Sequence, residues 1–277
     1  MTRKRLLGLG AGLLLTIAAA LPAGAAAWAP AGSAAIKPGN QTFTEGAQCT
    51  SNFIFEDGSN TYIGQAAHCS GTGAATDTNG CDSGSLPLGT PVEVTGASRP
   101  GTLVYSSWLT MQSIGETNPD ACQYNDFALV KIDPADVGKV NPSVPGFGGP
   151  TGLGGSAARL GDTVYSYGNS SLRQGVTKLS PKQGVVAQST GNGWSRTVYT
   201  LTPGIPGDSG SGFFDGSGKA IGVLSTLQLA PVPASNGVAD LSKALAYMRA
   251  HSSFGGVGLV NGTEPFKPDL VGAILGS

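Results

Sequence analysis

Forty-four glycines and eighteen prolines occupy more than a fifth of the 277 positions. Both oppose long helices, glycine through backbone entropy and proline through its missing N–H. Only 12% of the residues are charged, roughly half the usual share, so a salt-bridged helical surface is not available either. These counts exclude a helical bundle or coiled coil. They suit many short strands joined by tight turns, in a chain long enough to bury one large core or two small ones. No basic run follows Arg5, so nucleic acid is not an expected partner. His68 and His251 are the two histidines, too few for a multi-histidine metal site. No metal or other cofactor is expected.

The first 27 residues read as a signal peptide rather than as part of the fold. Arg3, Lys4 and Arg5 precede an apolar stretch, Leu6 to Leu21. Pro22 and two small-residue sites follow, Ala23-Gly24-Ala25 and Ala25-Ala26-Ala27. This is the layout of a secretory signal cleaved after Ala25 or Ala27. The apolar run is short for a membrane span and ends in a cleavage pattern. The expected product is secreted, with no membrane attachment after signal removal. Three of the sixteen basic residues leave with the segment and no acid does, so the net charge moves from −1 to −4. Export places the chain where disulfides persist. The four cysteines, Cys49, Cys69, Cys81 and Cys122, contain no C-x-x-C pair, and four cysteines allow three pairings. The residues alone do not choose among them.

Short β-prone runs alternate with turns from Gln41 to about Lys139. Tyr62-Ile63-Gly64, Pro91 to Val94, Thr102 to Tyr105 and Phe127 to Ile132 are strand candidates, with a turn at Asp57-Gly58-Ser59-Asn60. Asn141 to Gly155 carries three prolines, six glycines and no charge, and reads as a connector. Thr163 to Tyr167, Gly184 to Ala187, Thr197 to Leu201 and Ala220 to Ser225 are strand candidates of a second half. A helix follows, capped by Asp240, with Leu241, Ala244, Leu245 and Met248 at helical spacing. It should stop between Ser252 and Gly255. The division expected is a signal over 1–27, an N-terminal half over 28–140, a connector over 141–156, a C-terminal half with its helix over 157–254, and a tail over 255–277. Each half is the size of a small β-barrel.

Three short motifs carry chemistry. Gln65-Ala66-Ala67-His68-Cys69 ends one strand-like run, Asp126-Phe127-Ala128-Leu129 begins another, and Gly207-Asp208-Ser209-Gly210-Ser211-Gly212 forms a glycine-rich loop. A serine hydroxyl needs a base to become a nucleophile. Imidazole titrates near neutrality and can take the proton and return it. A buried carboxylate fixes the imidazole tautomer. Glycines let the backbone turn N–H groups toward a developing oxyanion.

In order and spacing, the three motifs resemble those of the chymotrypsin-fold, trypsin-like serine peptidases, nearest to their bacterial secreted branch. The resemblance spans roughly Cys49 to His251. It implies an all-β fold of two six-stranded antiparallel barrels with the active site between them, plus a short C-terminal helix. The implied activity is serine endopeptidase, through an acyl-enzyme, on protein or peptide substrates, by a monomer. It implies His68 as general base and acid, Asp126 as its orienter, Ser209 as nucleophile, and the N–H groups of Gly207 and Ser209 as oxyanion hole. It implies the disulfide Cys49–Cys69, and parity then leaves Cys81–Cys122. Ser225 matches the serine of the strand that binds substrate backbone.

The sequence departs from the animal enzymes in three ways. The position six before the nucleophile, an aspartate in trypsin, is Pro203 here, which argues against arginine or lysine specificity. Thr226 and Leu227 stand where an aromatic and a glycine are usual, and Leu227 would narrow the pocket toward small or medium apolar side chains. Ser211-Gly212 replaces Gly-Pro. No Arg-Ile or Lys-Ile activation start is present, so Asp208 needs a partner other than a new N-terminus, such as an arginine. Two rival readings are a non-catalytic binding protein on the same fold and an esterase using Ser209, Asp240 and His251. The esterase reading fails its G-x-S-x-G motif at Ser211. Asp77 to Asp82 faintly resembles a calcium loop but lacks the distal glutamate. Asn169 and Asn261 begin formal glycosylation sequons.

Overall fold

The computed structural model describes residues 27–74, 76–155, 159–228 and 233–276. All of the expected signal segment except Ala27 lies outside the described residues, and so does Ser156 at the end of the connector. Seven strands form in the first half: β1 Gln41–Thr44, β2 Ala47–Thr50, β3 Ile54–Glu56, β4 Thr61–Gln65, β5 Pro91–Val94, β6 Gly101–Ser106 and β7 Ala128–Lys131. Six form in the second: β8 Thr163–Tyr167, β9 Pro181–Thr190, β10 Ser195–Thr200, β11 Gly212–Asp215, β12 Ala220–Gln228 and β13 Ser235–Asp240. With β14, Gly258–Leu259, the first half makes one antiparallel sheet in the order β14-β3-β4-β7-β6-β5-β1-β2, and the second closes into a barrel in the order β10-β13-β12-β11-β8-β9. The two-barrel architecture implied by the motifs is present. The first sheet holds eight strands rather than six, and its edge strand β14 comes from the tail.

Local chemistry explains the turns. Glu45 and Gly46 both take positive φ, 46° and 89°, and close the β1–β2 hairpin as the right-handed strand twist requires. The Asp57 carboxylate accepts the Ser59 and Asn60 N–H groups, both at 2.8 Å, and so shapes the β3–β4 turn. Among the described residues four α-helices accompany the sheets: α1 Ser107–Ile114, α2 Pro119–Tyr124, α3 Leu241–His251 and α4 Leu270–Leu275. Of these, α3 is the expected helix: Asp240 accepts the Lys243 N–H at 2.7 Å, and Leu241, Ala244, Leu245 and Met248 are buried.

The halves share one apolar core. Phe53 of the first half meets Phe214 of the second edge to face at 5.3 Å. Gly212 admits this contact, since a Cβ there would lie 2.5 Å from the Phe53 ring. The tail runs across both halves. β14 pairs with β3, Gly149 of the connector donates to Glu264 at 2.9 Å, and Phe266 packs on Phe214 and Tyr165. α4 then buries Ala273 in the common core.

Candidate active site

His68 lies in a single helical turn, Ala67–Ser70, at the end of β4. The disulfide Cys49–Cys69 pins that turn to β2. Asp126 precedes β7 and is 4% exposed. Its carboxylate holds His68 at two points: Oδ1 accepts the backbone N–H at 2.9 Å, and Oδ2 lies 2.6 Å from Nδ1. Ser107, at the start of α1, fixes the backbone on both sides of Asp126. Its hydroxyl donates to the Asn125 carbonyl at 2.7 Å and accepts the Phe127 N–H at 3.0 Å. The second disulfide, Cys81–Cys122, ties the turn after His68 to α2, which leads into Asp126.

Burial alone would push the His68 imidazole down, but the adjacent carboxylate outweighs it and holds His68 above the ordinary histidine value. Burial would likewise push Asp126 up. The opposing charge of His68 and the hydrogen bonds from His68 and Ser225 prevail, holding the carboxyl below its ordinary value.

Ser209 comes from the second barrel, yet its loop is fastened to the first. The Ser209 carbonyl accepts the Thr50 N–H at 2.8 Å. Gly207 has φ +94°, and its carbonyl accepts from Thr50 Oγ1 at 2.7 Å and Gln48 Nε2 at 3.0 Å. Gly210 has φ +88°, and a Cβ there would stand 2.6 Å from the Thr50 carbonyl and 2.9 Å from the Ala66 nitrogen. The Ser209 loop therefore touches the same backbone that carries His68. Among the described residues the N–H groups of Gly207 and Ser209 donate to no protein acceptor, which leaves both available at the loop.

Asp208 faces the opposite way, fully buried. It receives Arg173 Nη2 at 2.7 Å, Lys182 Nζ at 3.0 Å and the N–H groups of Ser170 and Ile205 at 3.0 and 3.1 Å. Arginine is the expected type of partner, and the lysine is an addition. Burial, reinforced by the Arg173 charge and only partly offset by Asp208, pushes Lys182 down to about 8.

His68, Asp126, Gly207, Ser209, Ser225 and Leu227 line one cleft of about 580 Å³. A bulge between Leu224 and Thr226 takes Ser225 out of the β12–β13 register, and its hydroxyl donates to Asp126 Oδ2 at 2.6 Å. The Ser225 side chain thus serves the carboxylate. Pro203, expected at the substrate site, is not among the residues lining the cleft; Gly204 and Ile205 are. The Pro203 carbonyl turns to Arg173 at 2.9 Å instead. His251 sits at the far end of α3 against Tyr247, 4.4 Å between rings. Asp240 is buried against Arg196, so neither joins Ser209.

Residues 12–223 match the family profile described as the trypsin-like peptidase domain. No curated protein sequence matches the chain. Among solved structures, Protease A of Thermobifida fusca is 20% identical, with a TM-score of 0.52 covering 82% of this chain and 99% of its own. A glutamic acid specific serine protease that uses a histidine triad in substrate binding is 17% identical, with a TM-score of 0.50 covering 81% and 100%. At these identities the likeness is one of fold.

Proposed function

We infer that this chain, which belongs to the trypsin-like peptidase family, is a secreted serine endopeptidase. The observation that carries the reading is the double hold of Asp126 on His68, in a cleft whose other wall presents Ser209. In this reading the Ser209 hydroxyl attacks a peptide carbonyl while His68 takes its proton. The oxyanion forms against the Gly207 and Ser209 N–H groups. His68 then protonates the departing amine, and water hydrolyses the acyl-enzyme by the same path in reverse. Asp126 stays ionised and stabilises the imidazolium. None of these steps calls on a cofactor.

Two disulfides favour an oxidising compartment, in agreement with an N-terminal segment that reads as an export signal. Among the described residues the acids lining the cleft are Asp77 and Asp126; Asp126 is committed to His68, and Asp77 lies in the loop after His68, where it accepts the Ala74 N–H at 2.9 Å. Neither stands on the segment from Gly204 to Gly207 or on β12 beside Ser209, which argues against arginine or lysine specificity. A chain with two histidines also cannot build a three-histidine glutamate site. Small or medium apolar side chains fit best.

A folded sample treated with an organophosphate should gain one adduct, located on Ser209 by peptide mass mapping. A folded sample that remains unlabelled overturns the reading. The pH profile gives a second check. Neutral His68 is the reactive form, so kcat/KM should rise with pH through an apparent pKa above the ordinary histidine value. Asp126→Asn removes the charge and leaves burial acting alone. That apparent pKa should then fall, with kcat lower by roughly 10⁴-fold. An unchanged profile in the variant would mean that Asp126 does not act on the base.

A further inference from the structure

We propose that Ser170 is a positioning residue for the oxyanion: its hydroxyl holds the peptide between Pro206 and Gly207 in the orientation that offers the Gly207 N–H to the cleft. The proposal rests on the peptidase reading above and adds a residue from outside the cleft. Pro206, Gly207 and Ser209 line the cleft, and Ser170 is not among the lining residues. Ser170 is buried and immediately precedes the short turn Ser171–Arg173. Its Oγ donates to the Pro206 carbonyl at 2.6 Å and accepts the Leu172 N–H at 3.2 Å. The residue is itself well anchored. Its N–H donates to Asp208 Oδ1 at 3.0 Å, and the preceding Asn169 N–H donates to Thr50 Oγ1 at 3.0 Å.

The argument turns on one peptide plane. A trans peptide is planar, so its C=O and N–H point in opposite directions. A Pro206 carbonyl turned to the buried Ser170 therefore sends the Gly207 N–H the other way, toward the cleft. Among the described residues that N–H has no protein acceptor, and no group besides Ser170 donates to the Pro206 carbonyl. The plane thus depends on a single side-chain hydroxyl. The next peptide is held separately and more heavily. Its Gly207 carbonyl accepts from Thr50 Oγ1 at 2.7 Å and Gln48 Nε2 at 3.0 Å, and its Asp208 N–H donates to Ile205 at 2.8 Å. Gly207, with φ +94° and no Cβ, puts little resistance of its own against a turn of the first plane. Without the Ser170 hydroxyl that plane can turn over and take the N–H out of the cleft.

Ser170→Ala keeps the backbone bond to Asp208 and removes the hydroxyl. It should lower kcat on a peptide substrate by roughly 10- to 10²-fold with KM nearly unchanged. The full loss of an oxyanion donor is about 10²–10³-fold, and here the N–H can still turn back in. A peptide aldehyde, which adds to Ser209 and sets an oxyanion in the same place, should bind more weakly by the same factor. The uncleaved peptide should bind Ser209→Ala and its Ser170→Ala double variant equally. The apparent pKa of kcat/KM should stay at the wild-type value, since His68 and Asp126 are untouched. Ser170→Cys, a weaker donor of similar size, should fall between the two and serves if the alanine variant does not fold. A loss carried by KM, a moved apparent pKa, or an equal weakening of peptide and aldehyde would mark general loosening of the loop and overturn the inference. If wild type neither cleaves nor takes an organophosphate label, the peptidase reading has failed. Crystal structures of wild type and Ser170→Ala then still judge Ser170, by the direction of the Pro206 carbonyl. A carbonyl that keeps its direction in the alanine variant, or an unchanged kcat, overturns the inference.

Discussion

Ser209→Ala should lower kcat/KM on a peptide substrate by roughly 10⁴- to 10⁶-fold while leaving the unfolding temperature nearly where it was. The two halves of that expectation come from different atoms. The activity depends on a hydroxyl facing the cleft. The loop depends on the backbone: the Ser209 carbonyl is held by Thr50, the Gly210 N–H donates to Leu224 at 2.7 Å, and Gly210 rests on Ala66. Alanine keeps every one of those contacts. The informative measurement pairs steady-state kinetics with thermal denaturation on one preparation. Activity retained to within tenfold would place the nucleophile elsewhere. Activity lost together with the fold would mean that the side chain, not the backbone, anchors the loop.

The second large effect falls on stability. Asp208→Ala should destabilise the protein by about 3–5 kcal/mol, because it leaves Arg173 and Lys182 buried without their counter-charge. It also orphans the Ser170 and Ile205 N–H groups. The cluster carries two cations on one carboxylate, so Lys182 is its surplus charge. Lys182→Met should therefore act in the opposite sense at neutral pH, stabilising by about 1–3 kcal/mol. The pH dependence has a definite sign. Lys182 titrates near 8 in the folded chain and at 10.5 in the unfolded one. The folded state thus binds fewer protons between these values, and stability contributed at this site rises with pH across that window. Urea unfolding at pH 7 and pH 10 reads all three effects. A Lys182→Met variant no more stable than wild type at pH 7, with an unchanged pH slope, would show that the lysine carries no penalty.

What the sequence discloses here depends on how far apart the interacting residues lie. The His68, Asp126 and Ser209 motifs are legible because each is a short contiguous string. The arginine partner of Asp208 is legible only as a residue type. Arg173 ends a single 3-10 turn, Ser171–Arg173, too short to show a period, and nothing marks Lys182 in β9. Ser107 is silent, since it acquires its task from a pairing across the fold. Counting back six positions from Ser209 to Pro203 assumes a fixed offset through an irregular segment, where the cleft lining is Gly204 and Ile205. Among the strands, β1 is hidden by its chemistry: Thr42 and Thr44 are buried while Phe43 is only partly so, the reverse of what hydrophobicity predicts. α1 has eight residues, too few for a clear period, but Trp108 and Met111 fall on its buried side and Gly115 ends it at φ 67°. α2 is not among the expected elements, although its start carries a signal. Asn118 followed by Pro119 is a cap and first-turn signature, and Asn118 accepts the Asp120 and Ala121 N–H groups at 2.9 and 3.2 Å.

The crossing of the tail over both halves has a consequence in time. A chain emerging from its N-terminus presents β1 to β7 early, but β3 keeps an open edge until Gly258 and Leu259 appear, after the whole second barrel has been made. The common core likewise waits for Phe266 and Ala273. Nascent chains that already hold all three motif residues still lack the strap that joins the halves. A chain shortened at Gly255 would therefore leave the β3 edge unpaired and uncover the faces of Phe214 and Tyr165 that Phe266 covers.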